Sequence, residues 1–447
     1  MGLPQRGGSR MSRWPLALPQ VVDGSKLPVR LPPDRVKVLH VITRLAGGAG
    51  GNTLLSAIGM DPDRYEVWLA GGAGSRLWGR ARDAGVHTVE IPGLVEQIDP
   101  RRDAEALSAL IRLMRRESFS VVHTHSAKAG FLGRLAARLT RMPVVIHTFH
   151  SFPYHDFMPA GRRRLYIQLE RAARRLTDAF IAVSPRVARE AVEMRLARPG
   201  SVQVVPSSVE LDQIPDEPPD PALIRELGLL PERPIVGTVG RFVFQKAPLD
   251  FVRMAAKVAE ERPGVQFVMV GDASEESRPL EEATKAKAAS LGLDIRFTGY
   301  RHDAPRIAAL FDVFVISSLY EGLGRSLTEA LASGRPVAAT AVNGVPDLVV
   351  PGSTGLLAPP RRPDALARSV LWLLDHPEEA KLMGEQGRRR VRSSTFAPEN
   401  MCGLLDGAYS RLLGLPEPEP SPHDEGNGSR RAERPARVRT AGRDVRP

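Results

Sequence analysis

The 447 residues, 42% of them hydrophobic and 25% charged, have the composition of a globular protein with material for two or three domains. A single cysteine, Cys402, excludes an internal disulfide and a cysteine-based zinc site, and no apolar run approaches the roughly 18 residues that span a bilayer. The formal net charge of +11 is concentrated, because residues 101–200 hold 19 Lys and Arg against 8 Asp and Glu. Two explanations stay open: an acidic partner such as lipid headgroups or phosphates, or an arginine-rich surface without a partner.

The N-terminal segment does not have the pattern of a secretory signal. Its apolar stretch, residues 14–22, is short and is broken by Pro15 and Pro19. Together with the single cysteine, this predicts a cytoplasmic protein. We expect a disordered leader over residues 1–33, because Gly, Pro and Arg dominate there without an apolar period.

Short β-branched segments then alternate with amphipathic segments. Helices are predicted over 103–117, 127–140 and 162–177. Strands are predicted over 36–42, 65–70, 87–91, 121–125, 144–149, 179–184 and 202–206. Strands that alternate with helices indicate a parallel sheet covered on both faces. These residues form a predicted first domain, 34–210.

The turn after the first predicted strand is rich in glycine, including Gly48 and Gly50. Glycines that open a helix let the backbone approach a phosphate closely. The spacing is not the G-x-G-x-x-G of dinucleotide-binding proteins, and strand 65–70 does not end in the acidic residue that NAD binding would need. NAD binding remains an alternative for this turn.

Five of the ten histidines fall between positions 123 and 155, which raises the question of a metal site. His123 and His125 share one face of a strand because their spacing is two residues. No carboxylate or cysteine nearby completes a common ligand set, and we therefore predict no metal.

A proline-rich stretch, 212–221, interrupts the alternation and predicts a linker over 211–231. Strands are predicted again over 235–239, 265–270, 295–300, 313–318 and 336–340, in a second domain over 232–392. A helix over 393–414 is expected to pack back on the first domain, and a disordered basic tail over 415–447 follows. Ligands of such doubly wound domains bind beyond the carboxyl ends of the strands.

Charged residues follow two strands of the second domain. Gly240, Arg241 and Lys246 come after strand 235–239 and can place two cations beside a diphosphate. Glu321 and Glu329 bracket a glycine-rich helix start after strand 313–318, where free backbone N–H groups suit phosphate oxygens. Carboxylates accept pairs of sugar hydroxyls. The structural alternative, one capping and one core-facing acid, requires a partner for any buried carboxylate.

These loops, with the Asn343–Asp347 segment after strand 336–340, resemble the donor domain of the group 1 glycosyltransferases (family four). That family has a Gly-Arg…Lys turn, two Glu separated by seven residues, and a Gly-Gly-x-Pro-Glu loop. The order and spacing of these motifs match the family over about residues 235–350. The pattern of predicted strands matches it over most of residues 36–410. It implies the GT-B fold, an α/β architecture of two facing Rossmann-like domains with a cleft between them. In this sequence Asn343 replaces the first glycine of the third motif, and Asp347 replaces its glutamate.

Carried over by position, the resemblance implies roles for individual residues. Arg241 and Lys246 become diphosphate cations, Glu321 the acceptor for hydroxyls of the transferred sugar, and Glu329 the ribose acceptor. His150 matches the active-site histidine, although Ser151 replaces the usual glycine after it. Further donor-site residues are expected at Gly48, Gly50, Gly240, Tyr300, Arg301, Gly322, Leu323, Gly324, Arg325 and Ser326.

The resemblance implies a retaining, metal-independent transfer of a hexosyl group from a UDP- or GDP-linked sugar, without a cofactor. The acceptor is expected to be a saccharide or a polyprenyl-linked saccharide, as in cell-surface polysaccharide or glycoconjugate synthesis; no nucleic-acid partner is expected. We hypothesise that the basic segment 162–175 rests on the anionic inner face of the plasma membrane, the alternative being a soluble acceptor. Two other functions stay open, a sugar-nucleotide epimerase on the same fold and a non-catalytic nucleotide-sugar-binding protein.

Overall fold

The computed structural model describes residues 35–215 and 220–416 of the chain. The predicted leader, part of the predicted linker (216–219) and nearly all of the predicted tail lie outside these residues. Two parallel β-sheets organise the described chain, one in each half. Within these residues, no helix is long and apolar enough to cross a membrane.

The first sheet has seven strands in the order β3-β2-β1-β4-β5-β6-β7, and every pairing is parallel. Its central strands are buried on both faces, so the histidines and threonines within them need hydrogen-bond partners inside the fold. The strands are β1 (Val36–Arg44), β2 (Tyr65–Gly72), β3 (His87–Glu90), β4 (Val121–His125), β5 (Val144–Phe149), β6 (Ala179–Ala182) and β7 (Val202–Val204).

Helices connect these strands and cover both faces of the sheet. The long helix α3 begins at Pro100, where the side chain of Asp99 accepts hydrogen bonds from two backbone N–H groups of the first turn. The helices of this half are α1 (Gly47–Ile58), α2 (Leu77–Asp83), α3 (Pro100–Glu117), α4 (Ala127–Leu139), α5 (Ala160–Ala173) and α6 (Pro185–Glu193).

The second sheet has six parallel strands in the order β10-β9-β8-β11-β12-β13. Five of them lie where the sequence predicted strands, and β13 was not predicted. The strands are β8 (Ile235–Val239), β9 (Gln266–Val270), β10 (Ile295–Gly299), β11 (Val313–Ile316), β12 (Val337–Thr340) and β13 (Leu356–Ala358). The helices are α7 (Pro221–Glu226), α8 (Pro248–Glu261), α9 (Arg278–Ser290), α10 (Ala304–Ala308), α11 (Arg325–Ala332), α12 (Val345–Leu348), α13 (Pro363–Asp375), α14 (Pro377–Val391) and α15 (Pro398–Leu413).

Apolar contacts join the two halves. One buried cluster runs from Phe149 and Val183 in the first half to Leu323 and Leu327 in the second. The two Rossmann-like domains therefore face each other across a cleft whose base is a shared core, as the GT-B expectation required.

The last helix, α15, packs on the first sheet rather than on the second. Met401, Leu405 and Tyr409 of this helix lie in the same buried cluster as Val38 and Leu69. A polar contact accompanies the apolar ones. The Asp406 carboxylate accepts hydrogen bonds from the Tyr65 hydroxyl (2.5 Å) and the Ser410 hydroxyl (3.0 Å), and it lies 3.2 Å from the Arg64 guanidinium.

Replacing Asp406 with Ala should lower the free energy of unfolding by about 2–3 kcal/mol, because the buried Tyr65 hydroxyl loses its acceptor. Urea denaturation measures the change. The control is D375A, since Asp375 pairs with Arg262 on the surface and its loss should change stability by about 0–1 kcal/mol. Equal losses in the two variants would contradict a structural role for the α15 contact.

Candidate active site

The cation-bearing turn after β8 lines a small cavity at the carboxyl end of the second sheet. Its walls include Gly240, Arg241, Lys246 and Ser318. A tight one-turn helix over Phe244–Lys246 and the start of α8 at Pro248 hold the turn. The structure therefore places these four residues beside the end of β11, where Glu321 follows.

Glu321 is 5% exposed, and its carboxylate forms an ion pair with the ammonium group of Lys246. The hydroxyl of Ser318 donates a second hydrogen bond to the same carboxylate oxygen, at 2.8 Å. A buried carboxylate requires such partners, since desolvation of an isolated charge costs several kcal/mol. The ammonium group has three N–H donors, so it can hold this carboxylate and still bind an oxygen of a ligand.

The segment from Gly322 to Gly324 brings backbone rather than side chains to the cleft. A Cβ atom on Gly322 would collide with the carbonyl oxygen of His150, so only glycine fits there. Gly324 has φ +88°, a conformation that favours glycine, and it caps the N-terminus of α11. Leu323 points into the shared core, so only its backbone can meet a ligand.

Arg325 and Glu329 belong to a chain of charges that spans the cleft. Arg325 lies 2.8 Å from Glu329 and 3.2 Å from Glu210, which in turn pairs with Arg80 of the first domain. Burial raises the pKa of Glu210, but hydrogen bonds and charge attraction from Arg80 and Arg325 outweigh it, so the pKa is lowered. Glu329 therefore belongs to a network of ion pairs. Of its two carboxylate oxygens, Oε1 is the one that accepts a hydrogen bond from Arg325.

The glycine-rich start of α1 presses against two of the predicted donor-site residues. The Arg241 guanidinium lies over Gly47, and a Cβ on Gly51 would collide with the Arg325 guanidinium. Gly50 is required by the turn itself, because its Cβ would collide with the Leu45 backbone. Within the described residues Arg241 has no carboxylate partner, which makes it the cation of this group that an anionic ligand can bind directly.

His150 follows β5 and is held by a chain of imidazoles. Its Nε2 lies 2.9 Å from Nδ1 of His125, whose Nε2 lies 3.0 Å from Nδ1 of His40. Burial lowers the pKa of His150 to about 4, so its ring is neutral at pH 7. The structure thus brings His150 beside Gly322 as a hydrogen-bonding group without charge.

Ring nitrogens of His40, His123 and His125 lie within 4.8 Å of one another, as a metal site would require. Both nitrogens of His123 are already bonded, to Tyr409 and Thr148 at 2.6 Å each, and both nitrogens of His125 bond to other histidines. Nε2 of His40, by contrast, is buried and has no hydrogen-bond partner among the described residues. The sequence analysis did not identify His40. This residue lies opposite His123 because of the register in which β1 pairs with β4.

Tyr300 and Arg301, two of the predicted donor-site residues, are held by contacts of their own. The Arg301 guanidinium binds Asp303 through two nitrogens and also pairs with Glu226, and these contacts raise its pKa. The ring of Tyr300 is 53% exposed and lies 4.3 Å from the guanidinium of Arg76 of the first domain. Tyr300 therefore offers an aromatic face at the cleft, whereas the charge of Arg301 is committed to neighbouring acids.

Solved structures share this architecture. HepE from Anabaena, in complex with UDP and glucose, matches with a TM-score of 0.72 and 20% identity, covering 84% of this chain and 99% of that chain. Sucrose-phosphate synthase from Thermosynechococcus elongatus matches with a TM-score of 0.72 and 22% identity, covering 85% and 100%. The fold is the GT-B fold, as predicted.

The family follows from the sequence. Residues 46–213 match the family described as Glycosyltransferase Family 4, and residues 220–390 match Glycosyl transferases group 1. The Escherichia coli UDP-Gal:alpha-D-GlcNAc-diphosphoundecaprenol alpha-1,3-galactosyltransferase is 30% identical over 317 residues, 69% of this chain and 80% of that protein. The alpha-maltose-1-phosphate synthase of Mycolicibacterium smegmatis is 32% identical over 366 residues, 74% and 94%. The chain belongs to the group 1 glycosyltransferases and is an enzyme of that class.

The buried histidines make stability depend on pH. Burial lowers the pKa of His40 to about 3 and of His150 to about 4, and it places the pKa values of His123, His125 and His147 well below 6.5. The unfolded chain therefore binds more protons than the folded chain below pH 6.5. The stabilisation is complete above that pH and is lost as the pH falls.

Between pH 6.5 and 5.5 each of the five histidines should remove about 1 kcal/mol from the free energy of unfolding, about 5 kcal/mol in all. Urea denaturation at pH 7.5, 6.5 and 5.5 measures the slope. H40N should flatten it by about one fifth. An unfolding free energy that stays constant across this window would contradict the buried, neutral state of the cluster.

Proposed function

We propose that the protein is a retaining hexosyltransferase that moves a sugar from a UDP- or GDP-linked donor to a saccharide or lipid-linked acceptor. The observation that carries this proposal is the buried Lys246–Glu321 pair, which lies at the carboxyl end of the second sheet and next to His150 of the first domain. This arrangement offers a carboxylate for sugar hydroxyls and a cation for the diphosphate in one place.

In the proposed donor complex, Arg241 and Lys246 bind the diphosphate, and the backbone from Gly322 to Ser326 adds N–H groups at the start of α11. Charge develops on the diphosphate as the bond to the sugar breaks, and these fixed positive groups stabilise it. We therefore expect transfer to need neither a metal ion nor another cofactor. Glu329 takes the ribose hydroxyls through the carboxylate oxygen that Arg325 leaves open.

His150 is assigned a hydrogen bond to the transferred sugar. Its neutral ring suits a hydroxyl, and its Nε2 is already occupied by His125, which leaves Nδ1 for the ligand. For retention we propose a front-face reaction, in which the leaving diphosphate takes the proton of the attacking acceptor hydroxyl. The oxygen–sugar bond of the acceptor then forms on the face from which the diphosphate departs.

The acceptor is assigned to the first domain, residues 34–210, and the donor to residues 232–392, with 211–231 between them and the C-terminal segment 393–414 bracing the first domain. One relative is named for a sugar carried on diphosphoundecaprenol, and another is the 2-deoxystreptamine glucosyltransferase of Streptomyces kanamyceticus. A polyprenyl-linked saccharide and a soluble saccharide are therefore both fitting acceptors. With a polyprenyl-linked acceptor, the enzyme would act in the synthesis of a cell-surface polysaccharide or glycoconjugate.

The surface of α5 favours the lipid-linked acceptor. Ile167 and Ala173 are buried, and Glu170 pairs with Arg134 underneath, so this face of the helix is turned inward. Leu165 and Leu169, one turn apart, are 52% and 39% exposed. Exposed leucines beside arginines such as Arg164 and Arg175 are typical of a surface that lies on anionic lipid. We propose a cytoplasmic protein that binds the inner face of the plasma membrane peripherally.

Glu321→Gln and Lys246→Met should each lower kcat/KM for sugar transfer by about 100- to 1000-fold, because each removes a charge aimed at the reacting group. A thermal-shift panel of nucleotide sugars selects the donor, and release of nucleotide in the presence of polyprenyl-linked or free saccharides measures transfer. The control is K285A, which breaks an exposed Lys285–Glu281 pair in α9 and should leave the rate unchanged.

A wild-type rate in either site variant would overturn the assignment of this pair. Conversion of the donor to an isomer without any acceptor would instead establish an epimerase. Binding of the donor without turnover under any acceptor would indicate a binding protein.

The membrane proposal predicts flotation with anionic phosphatidylglycerol vesicles at low salt, release at high salt, and no flotation with neutral phosphatidylcholine vesicles. L165S/L169S and R164E/R175E should each reduce flotation by at least about threefold, since apolar insertion and charge both contribute. The control is L382S, at a leucine of α14 that is 53% exposed. Absence from anionic vesicles at every salt concentration would contradict the proposal.

A further inference from the structure

The third loop of the second domain, residues 341–347, touches both domains. It follows β12 and leads into α12, and Asn343 within it has φ +33°, in the left-handed region that Asn and Gly tolerate best. The donor-site motifs of the family have a glycine at this position. The structure shows what the amide side chain adds there.

The side chain of Asn343 makes two hydrogen bonds in opposite directions. Its Oδ1 accepts from the backbone N–H of Glu321 at 3.0 Å. Its Nδ2 donates to Oε2 of Glu190 at 2.9 Å, and Glu190 belongs to α6 of the first domain. One amide group thus connects the backbone of the sugar-binding carboxylate to the opposite side of the cleft.

The rest of the loop docks against the same helix. Asp347 accepts a hydrogen bond from the backbone N–H of Arg186 at 2.9 Å, and its carboxylate lies 3.4 Å from the Arg186 side chain. A Cβ on Gly344 would collide with the carbonyl oxygen of Gly322 and would approach the hydroxyl of Ser184 at 2.8 Å. Both positions that depart from the family pattern, Asn343 and Asp347, are therefore the ones that contact α6.

The hydrogen bond from Asn343 stabilises the ionised form of the Glu190 carboxylate. Burial raises its pKa, and the hydrogen bond from Asn343 acts in the opposite direction. The carboxylate therefore gains from the amide donor. A second carboxylate in place of that amide would repel it instead.

We propose that Asn343 is a positioning residue that ties the main chain at Glu321 to α6, so that Glu321 takes its sugar-binding position when the two domains meet. The proposal rests on the proposed role of Glu321. The amide of Gln245 holds the other side of this peptide unit by donating to the carbonyl of Tyr320 at 3.0 Å, and within the described residues Asn343 supplies the hydrogen bond to its N–H. Movement of α6 is transmitted to the site through the amide.

Two single variants separate the halves of this contact. N343G suits the backbone but removes both hydrogen bonds, whereas N343D keeps an acceptor for the N–H of Glu321 and sets a carboxylate against Glu190. Both should lower kcat by about 10- to 30-fold while the KM for the donor changes less than about threefold, because binding of the nucleotide and diphosphate does not use the bridge.

Two further variants test the Asn343–Glu190 hydrogen bond by exchanging its donor and its acceptor. E190Q alone should keep nearly wild-type kcat, since its amide oxygen still accepts from Asn343. N343D/E190Q restores a donor–acceptor pair, with the amide now on α6, and should return kcat to within about threefold of wild type. A merely structural role for Asn343 does not predict this rescue.

Hydrogen exchange of the amide of Glu321, followed by mass spectrometry of a peptide that spans it, gives a readout besides activity. The amide should exchange faster in N343G and remain protected in N343D. Wild-type kcat in both single variants, or a double variant as slow as N343D at an unchanged melting temperature, would overturn the proposal. Absence of transfer by the wild-type protein would instead overturn the proposed function, and the exchange rates would still test the hydrogen bond.

Discussion

The two domains meet in a contact between backbones. The carbonyl oxygen of His150 lies against the α-carbon of Gly322, where any side chain would collide with it. This contact sets the distance between the end of β5 and the start of α11. It fixes how His150, the Lys246–Glu321 pair and the glycine-rich start of α1 stand relative to one another, so the site exists only in this relative placement of the domains.

The charged residues predicted for the donor site are organised in pairs, with one exception. Glu321 is neutralised by Lys246, and Arg325 lies between Glu210 and Glu329. Pairing makes burial of these groups tolerable, because an uncompensated charge away from water costs several kcal/mol. Among the described residues Arg241 lacks such a partner. In the proposed donor complex, an incoming diphosphate therefore meets one open cation, while the paired groups orient the sugar and the ribose.

The sequence predicted what is local and could not predict what depends on the docking of domains. Alternating segments located the strands up to β12, and the charged residues that follow β8 and β11 lie at one sheet edge. The three-residue strand β13 has too short an apolar run to be recognised. His40 lies far from His123 in the chain and joins it only through the register of β1 with β4. The contact between Glu190 and Asn343 likewise has no local signal, since it requires the orientation of one domain on the other.

A glycosyltransferase must bring donor and acceptor together and exclude water, because water would otherwise take the sugar. In this chain several groups of the first domain contact the proposed donor-site residues of the second domain. Glu210 binds Arg325, the start of α1 packs against Arg241, and Glu190 holds Asn343. Separation of the domains would break all three contacts at once. In the proposed complex, the donor site is therefore complete only where the first domain covers it, and this coupling favours transfer over hydrolysis.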